Sequence, residues 1–185
     1  MILLRHGESE FNVVYRATRI DPGIRDPRLT ETGRRQAADA ARALDGRRLQ
    51  RLVTSPYTRA LETATIVAEA LDLPVTIEPL VRERRVFACD IGTLRSRLAD
   101  RWPAFSFDHL DEEWWPGVEE SETNLHARCR RFRQTAVAWP DHGDVVVITH
   151  WAFIRALTGL SVANADVIAY HPHEPNGVVC PDGPC

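Results

Sequence analysis

The stretch ILLRHGES, at residues 2–9, begins with a short apolar run that changes abruptly into polar residues. A continuous run such as Ile2 to Leu4 is typical of a strand that is buried on both faces. Arg5 and His6 follow where that strand would end. The same arrangement recurs at residues 145–149, VVVIT, the strongest strand pattern in the chain, which is followed by His150. These two stretches predict buried strands with Arg and His at their carboxyl ends.

Strand-like and helix-like runs alternate through the rest of the chain, which predicts an α/β fold. Further strands are predicted at residues 52–54, 75–77 and 167–170. Helices are predicted over residues 31–44, 56–71, 93–102 and 122–139, and from Trp151 onward. Thr30 is the expected N-cap of the first helix. Ser55 is the expected N-cap of the second, with Pro56 at its first position.

The composition excludes several classes of protein. With 185 residues, 44% hydrophobic and 26% charged, the chain fits one soluble globular domain. Its longest apolar runs are strand-sized, so no membrane span is expected. The net charge of −3 gives no broad basic surface for nucleic acid. Residues 103–120 are rich in aromatic and acidic side chains, and we predict that they form an insertion over one end of the sheet.

The basic residues and the cysteines limit the kinds of binding site that the chain can form. All 23 basic residues are Arg, so an anion site must use guanidinium groups, imidazole and helix N-termini. The four cysteines fit neither a CxxC pair nor a zinc ribbon, and no signal peptide is recognisable, so a cytoplasmic protein with free thiols is expected. The tail after His171 is rich in Pro and Gly, with a possible hairpin turn at residues 176–177, and its Cys180 and Cys185 receive no assigned role.

Polar side chains follow three of the predicted strands. Arg5 and His6 follow the first strand, Arg59 lies just after the second, and His150 follows the strand at residues 145–149. In open α/β sheets, ligands bind at the carboxyl ends of the strands. Arg59 would lie near a helix N-terminus, where a cation opposes the helix dipole, and this indicates that it serves a ligand. Two Arg and two His at one edge predict an anion site, with phosphate as its natural occupant.

Four segments resemble the motifs of the histidine phosphatase superfamily, the group that includes cofactor-dependent phosphoglycerate mutases. They are residues 4–12 (LRHGESEFN), 26–33 (DPRLTETG), 55–64 (SPYTRALETA) and 147–157 (VITHWAFIRAL). The resemblance implies a three-layer α/β/α sandwich with a mostly parallel central sheet. It also implies one histidine phosphatase domain over residues 1–185, with the insertion at 103–120 over the active-site end.

The resemblance further implies roles for individual residues. His6 would attack phosphorus and become a phosphohistidine, with no metal and no other cofactor. Glu83 would be the general acid for the leaving group. The phosphoryl oxygens would be held by Arg5, Asn12, Arg59 and His150. Trp151 departs from the family pattern, since many relatives have a small residue there; it is a candidate substrate-binding residue at the pocket edge, where it would stack on a substrate ring or narrow the site.

Arginines flank the residue assigned as the general acid. Glu83 lies among the arginines at positions 82, 84 and 85, which would lower its pKa if they pointed inward. Glu78 and Asp90 are therefore reserve candidates for the acid.

The function expected from the sequence is hydrolysis of a small phosphorylated substrate, with neither nucleic acid nor membrane as a partner. Phosphoglycerate mutase-type phosphoryl transfer is an alternative, although mutases of the family are longer and carry extra basic residues. A non-catalytic phospho-ligand-binding or regulatory protein is a second alternative, although His6 and a candidate acid are retained. A metallohydrolase would need residues near the C-terminus, namely His171, His173, Glu174 and Cys180, whose spacing matches no standard zinc motif.

Overall fold

Within residues 1–174, which the computed structural model describes, five strands form one sheet. In chain order they are β1 (Ile2–Arg5), β2 (Arg51–Thr54), β3 (Val75–Ile77), β4 (Val145–Thr149) and β5 (Val167–Ala169). Their order across the sheet is β3-β2-β4-β1-β5, and β5 is the antiparallel member. Because β1, β2 and β4 run parallel in close register, the residues that follow them meet at one edge of the sheet.

Six α-helices connect or flank these strands in the same described range. They are α1 (Glu10–Thr18), α2 (Glu31–Leu44), α3 (Thr58–Leu71), α4 (Arg95–Arg101), α5 (Glu122–Val137) and α6 (Trp151–Thr158). The helix predicted to reach residue 139 ends at Val137, because Pro140 disfavours helical backbone in the residue before it.

The helices cover both faces of the sheet. On one face, α2 and α3 present small residues such as Ala41 and Ala64, which let the helices lie close to Leu4 and its neighbours. On the other face, α5 and α6 present large aromatic side chains, among them Phe132 and Phe153. These side chains are at most 2% exposed, so each contributes its full apolar surface to the core. The structure is therefore the predicted three-layer α/β/α sandwich with a mostly parallel central sheet.

Residues 103–120 pack beside β3. Their large apolar side chains join a cluster with Tyr57, Leu61 and Leu98, and they are Phe107, Leu110, Trp114 and Trp115. The His109 Nε2 atom lies 2.9 Å from the carbonyl oxygen of Ile77, the last residue of β3. This segment is thus anchored at the carboxyl end of an edge strand.

Helix α1 is the element that the sequence patterns do not predict. Its capping box is formed by Ser9 and Asn12: the Asn12 amide nitrogen donates to Ser9 Oγ at 3.4 Å, and the Ser9 amide nitrogen donates to Asn12 Oδ1 at 3.0 Å. The Ser-x-x-Asn spacing at residues 9–12 is the sequence pattern from which the start of this helix could have been predicted.

The predicted cap of α2 is confirmed, whereas that of α3 is wrong. Thr30 accepts a hydrogen bond from the amide of Gly33 at the start of α2. Helix α3 begins at Thr58, and its first amide donates to the carboxylate of Asp26 at 2.9 Å. Ser55 lies three residues before the helix, where its hydroxyl oxygen accepts the amide of Tyr57 at 3.4 Å and lies 2.8 Å from Nε2 of His150. The side chain that accepts the first amide of α3 is therefore that of Asp26, which lies far from Thr58 in the sequence.

Two of the four cysteines fall in the described residues, and both Cys89 and Cys129 are buried free thiols. Burial raises the pKa of both thiols, which makes them unreactive at neutral pH. The possible hairpin turn at residues 176–177 and the remaining two cysteines lie outside the described residues. No helix within residues 1–174 is both long enough and apolar enough to cross a membrane.

Gly7 and Gly33 mark a close approach between the loop after β1 and the first turn of α2. A Cβ atom on Gly33 would lie closer than 3.0 Å to the backbone of Glu8, and one on Gly7 would lie as close to the backbone of Gly33. The contact joins backbone to backbone, so no side chain can move aside to relieve it. The loop that carries His6 is therefore seated directly on α2.

We expect Gly33→Ala to lower the free energy of unfolding by about 1–3 kcal/mol, the usual cost of overpacking a rigid site. This loss exceeds the gain of about 1 kcal/mol that Ala normally brings to a helix. Urea denaturation measures the change. Gly117→Ala is the control, because nothing lies within 4 Å of its added Cβ. Equal stability of the two variants would contradict the close approach.

Candidate active site

The residues predicted to form the site do meet at one edge of the sheet. The rings of His6 and His150 lie with their centroids 5.1 Å apart, because β1 and β4 are neighbouring parallel strands. A cavity of about 820 Å³ opens at this edge. The predicted site residues among those that line it, with the reserve acid Asp90 included, are Arg5, His6, Asn12, Arg59, Glu83, Asp90 and Trp151. His150 is fully buried and is not among the residues that line the cavity.

His6 is held in one tautomer. Its Nδ1 atom lies 2.7 Å from the carbonyl oxygen of Gly7. Because a carbonyl can only accept, Nδ1 carries the ring proton and Nε2 keeps a free lone pair. Burial, followed by the charges of Arg59 and Arg5, lowers the pKa of His6 well below the ordinary 6.5. The imidazole is therefore neutral at pH 7, which is the state that a nucleophile needs.

His150 is fixed by two neighbours. Its Nε2 atom lies 2.8 Å from the Ser55 hydroxyl oxygen, and the Tyr57 ring packs edge-on against it with centroids 5.3 Å apart. Burial lowers its pKa well below 6.5, with the charge of Arg59 as the next cause. Within residues 1–174, Nδ1 of His150 and Nε of Arg5 are buried without a hydrogen-bond partner. Such atoms are costly to leave unpaired, and a ligand oxygen would satisfy them.

Arg59 is a buried cation that a carboxylate orients. Its Nη1 donates to the Cys89 carbonyl at 2.8 Å, and its Nη2 donates to Oδ1 of Asp90 at 3.1 Å. Asp90 Oδ2 accepts the amides of Val86 and Phe87 at 3.1 and 3.0 Å. Both oxygens of Asp90 are therefore engaged, so Asp90 is a positioning residue for Arg59 rather than a free acid.

Glu83 lies at the cavity with its carboxylate at the N-terminus of α6. Its Oε1 accepts the amides of Arg84 at 2.8 Å and of Ala152 at 3.1 Å. These two bonds lower its pKa, but burial, with the negative charge of Asp90 as the second cause, outweighs them and raises it above 4.5. A carboxyl with a raised pKa can keep its proton under mildly acidic conditions and then donate it.

Two of the arginines beside Glu83, Arg82 and Arg84, bond to another residue, Glu120. Arg82 Nη2 donates to Glu120 Oε1 at 3.2 Å, and Arg84 Nε donates to the Glu120 carbonyl at 2.8 Å. The buried Arg128 also pairs with Glu120, at 2.6 Å. Glu120 therefore draws positive charge away from Glu83, which is why the neighbouring arginines do not hold its pKa down.

The other reserve acid has a structural role. Glu78 accepts the amide of Leu80 at 2.8 Å and so caps the short 3-10 turn Pro79–Val81. It is not among the residues that line the cavity. The geometry therefore favours Glu83 over both Glu78 and Asp90.

Asn12 and Trp151 both line the cavity, and each is held by hydrogen bonds within the protein. Asn12 Oδ1 accepts from the amide of Ser9 and from Nδ2 of Asn164, at 3.0 and 3.1 Å. Its oxygen is thus engaged, which leaves its amide N–H groups as the donors for a ligand. The Trp151 indole N–H donates to Ser161 at 3.2 Å. This bond fixes the indole at the cavity edge.

Two features of the site escaped the sequence analysis. The bond between Ser55 and His150 was missed because Ser55-Pro56 fits a helix cap equally well. The aromatic side chains of α1 were missed together with their helix. Within residues 1–174, no group of three or more His, Cys, Asp or Glu is arranged to hold a metal ion, and Cys180 of the candidate set lies outside that range.

Comparisons with known proteins bear directly on this arrangement. The family model described as "Histidine phosphatase superfamily (branch 1)" matches residues 1–177. Glucosyl-3-phosphoglycerate phosphatase of Mycobacterium tuberculosis is 32% identical over 177 residues, covering 89% of this chain and 77% of the relative. Phosphoserine phosphatase 1 of Hydrogenobacter thermophilus is 30% identical over 165 residues, covering 85% and 73%.

A solved structure agrees in fold. The mycobacterial glucosyl-3-phosphoglycerate phosphatase in complex with VO3 has a TM-score of 0.62 at 26% identity, over 91% of this chain and 88% of that one. The family match and these relatives confirm the resemblance drawn from the four sequence motifs. The chain therefore belongs to branch 1 of the histidine phosphatase superfamily.

Proposed function

We propose that this chain is a phosphoric monoester hydrolase that works through a phosphohistidine on His6, without a metal. The observation that carries the proposal is the tautomer of His6: its Nδ1 proton is held by the Gly7 carbonyl, so Nε2 has a free lone pair at the cavity. Family membership and the phosphatase relatives support the hydrolase class. The vanadate complex of a solved relative supports a phosphoryl-binding cavity, because vanadate resembles phosphate.

Binding comes first in the proposed reaction. Arg5 and Arg59 attract the phosphoryl oxygens, and the unpaired Nε of Arg5 and Nδ1 of His150 are available to bond to them. Asp90 keeps the Arg59 guanidinium in position at 3.1 Å. Phosphoryl transfer depends mostly on positioning and on charge neutralisation, and these groups supply both.

The transfer takes two steps. His6 Nε2 forms a bond to phosphorus as the ester P–O bond breaks, and Glu83 gives its proton to the leaving alkoxide. Water then attacks the phosphohistidine, gives a proton to the Glu83 carboxylate, and releases phosphate as the N–P bond breaks. His6 and Glu83 return to their starting states. Placement of Glu83 at the cavity and its raised pKa support this double role.

The substrate of the proposed reaction is a small phosphorylated molecule, since a cavity of about 820 Å³ holds a ligand of metabolite size. We also propose that residues 1–185 act as one domain in the cytoplasm. One sheet flanked by packed helices, and a family match over residues 1–177, support the single domain. The buried free thiols support the location.

Release of inorganic phosphate tests the proposal against its alternatives. We expect the purified protein to release phosphate from para-nitrophenyl phosphate in the presence of EDTA, and vanadate to inhibit it. Loss of activity in EDTA would identify a metallohydrolase. Transfer of phosphate to an added alcohol without release of free phosphate would identify a mutase. Binding of vanadate without turnover would identify a phospho-ligand-binding protein.

A further inference from the structure

The cavity is far larger than a phosphoryl group, and three rings form one of its walls. Phe11, Tyr15 and Phe87 all line it. Their ring centroids are 5.1 Å apart for Phe11 and Tyr15, 5.4 Å for Phe11 and Phe87, and 5.1 Å for Tyr15 and Phe87. Tyr15 and Phe87 are half-buried, so part of each ring stays accessible from the cavity. We call these three residues the aromatic wall.

The aromatic wall is connected through the protein to the residues proposed to bind the phosphoryl group. Phe11 and Tyr15 lie one turn apart on α1, whose cap also carries Asn12. The loop bearing Phe87 is pinned by Asp90, which accepts the Phe87 amide at 3.0 Å and binds Arg59 through its other oxygen. One carboxylate therefore connects the phosphate-binding arginine to the wall, and this favours a ligand that contacts both at once.

Three of the polar side chains that line the cavity around the wall are already engaged within the protein, and a fourth, Arg19, has its guanidinium 5.8 Å from the centroid of the Tyr15 ring. Arg16 pairs with Glu8 at 3.0 Å, and Arg84 contacts the carboxylate of Glu122 at 3.3 Å. The carbonyl oxygen of Gln36 accepts the Glu8 amide at 2.8 Å. A sugar in this region would need a partner for each buried hydroxyl group, whereas an apolar ring would need none.

We infer that the alcohol part of the substrate carries a flat apolar group, such as an aromatic ring, that packs on the aromatic wall. The inference rests on the proposed function, which places the phosphoryl group at Arg5, His6 and Arg59. It narrows the substrate to phosphate esters of ring-bearing alcohols. Aromatic side chains prefer such partners in offset or edge-on contact.

Binding of two phosphonates tests the inference without any turnover. We expect 2-phenylethylphosphonate to bind the wild-type protein at least about tenfold more tightly than ethylphosphonate, since a buried apolar extension is worth that much. Calorimetric titration measures both dissociation constants. Phe87→Ala and Tyr15→Ala should each reduce the ratio, and Tyr15→Phe should restore it because the ring remains. Val13→Ala, on the exposed side of α1, is the control and should keep the ratio.

The matching esters, 2-phenylethyl phosphate and ethyl phosphate, separate the two proposals. Both release a strongly basic alkoxide, so both depend on the general acid to the same degree. Equal affinity for the two phosphonates would contradict the inference that the substrate packs on the aromatic wall, even if both esters are hydrolysed. An affinity ratio that both alanine variants leave unchanged would contradict it as well. A clear preference for the phenyl phosphonate with hydrolysis of neither ester supports the wall and contradicts the proposed hydrolase.

Discussion

Replacement of His6 with alanine should reduce the hydrolysis of phosphate esters by roughly 10⁴-fold or more, because removal of a catalytic nucleophile typically costs on the order of 10⁶ in kcat. Loss of a single group that binds an oxyanion costs less, about 10²–10³. The size of the loss thus distinguishes a nucleophile from a phosphate ligand. Initial rates with para-nitrophenyl phosphate measure it.

The fold should survive this change. The His6 side chain makes one hydrogen bond, to the carbonyl of the adjacent Gly7, and the lowered pKa means that a neutral group is removed. Thermal unfolding should show a folded variant. His126→Ala is the matched control, because His126 is exposed and lies at a different pocket.

Trapping the intermediate gives a second measure of the same prediction. Rapid quenching of the wild-type reaction should yield a phosphoenzyme that is labile in acid and stable in base, as a phosphoramidate is. The His6→Ala variant should yield none. Normal turnover by a folded His6→Ala variant would refute the nucleophilic role of His6.

Glu83→Gln should slow the hydrolysis of alkyl phosphates by about 10²–10⁴-fold, the usual contribution of general acid catalysis. The loss with para-nitrophenyl phosphate should be much smaller, because nitrophenolate leaves without a proton. Glutamine keeps a carbonyl oxygen that can accept the amide of Ala152, so the local structure is retained. Rates with ethyl phosphate and para-nitrophenyl phosphate, measured side by side, give the comparison.

The pH dependence follows from the directions of the two pKa shifts. Burial lowers the pKa of His6 well below 6.5, so the nucleophile stays deprotonated in mild acid. Burial raises the pKa of Glu83 above 4.5, so the acid keeps its proton to higher pH than usual. Activity should therefore rise as His6 loses its proton and fall as Glu83 loses its proton. In Glu83→Gln the fall on the alkaline side should disappear.

Equal losses on the two esters would assign Glu83 a different role. It would then position the phosphate or support the N-terminus of α6 rather than donate a proton. Glu78→Gln serves as the control carboxylate, because Glu78 caps a turn outside the cavity lining. This variant should keep the ratio of alkyl to aryl activity.

The fold and the location of the site could be predicted from the sequence. Apolar runs at residues 2–4 and 145–149 identified the buried strands, and polar residues just after them identified the edge where ligands bind. This inference works because it needs local patterns alone: a buried parallel strand is apolar along its length, and parallel strands end at the same edge of a sheet. The position of His6 and His150 followed directly.

Local sequence patterns could not determine which carboxylate is the candidate general acid. Glu83 has arginines as sequence neighbours, which would lower its pKa if they pointed inward, and the sequence does not determine their direction. The structure places Glu120 where it binds Arg82 and Arg84, and it leaves Glu83 facing Asp90 and the cavity. These partners lie about 36–38 residues apart in the chain, so no local spacing encodes them.

The sequence alone determined the layers of the fold, the histidine pair and the two arginines after the strand ends, because strand burial and strand ends are local properties. The tertiary structure decided that Asp90 orients Arg59 and that Asp26 rather than Ser55 caps α3. It also brought Phe87 against Phe11 to complete the aromatic wall. Each of these depends on groups that fold together from distant parts of the chain, where charge pairing and ring packing compete with the local preference of each residue.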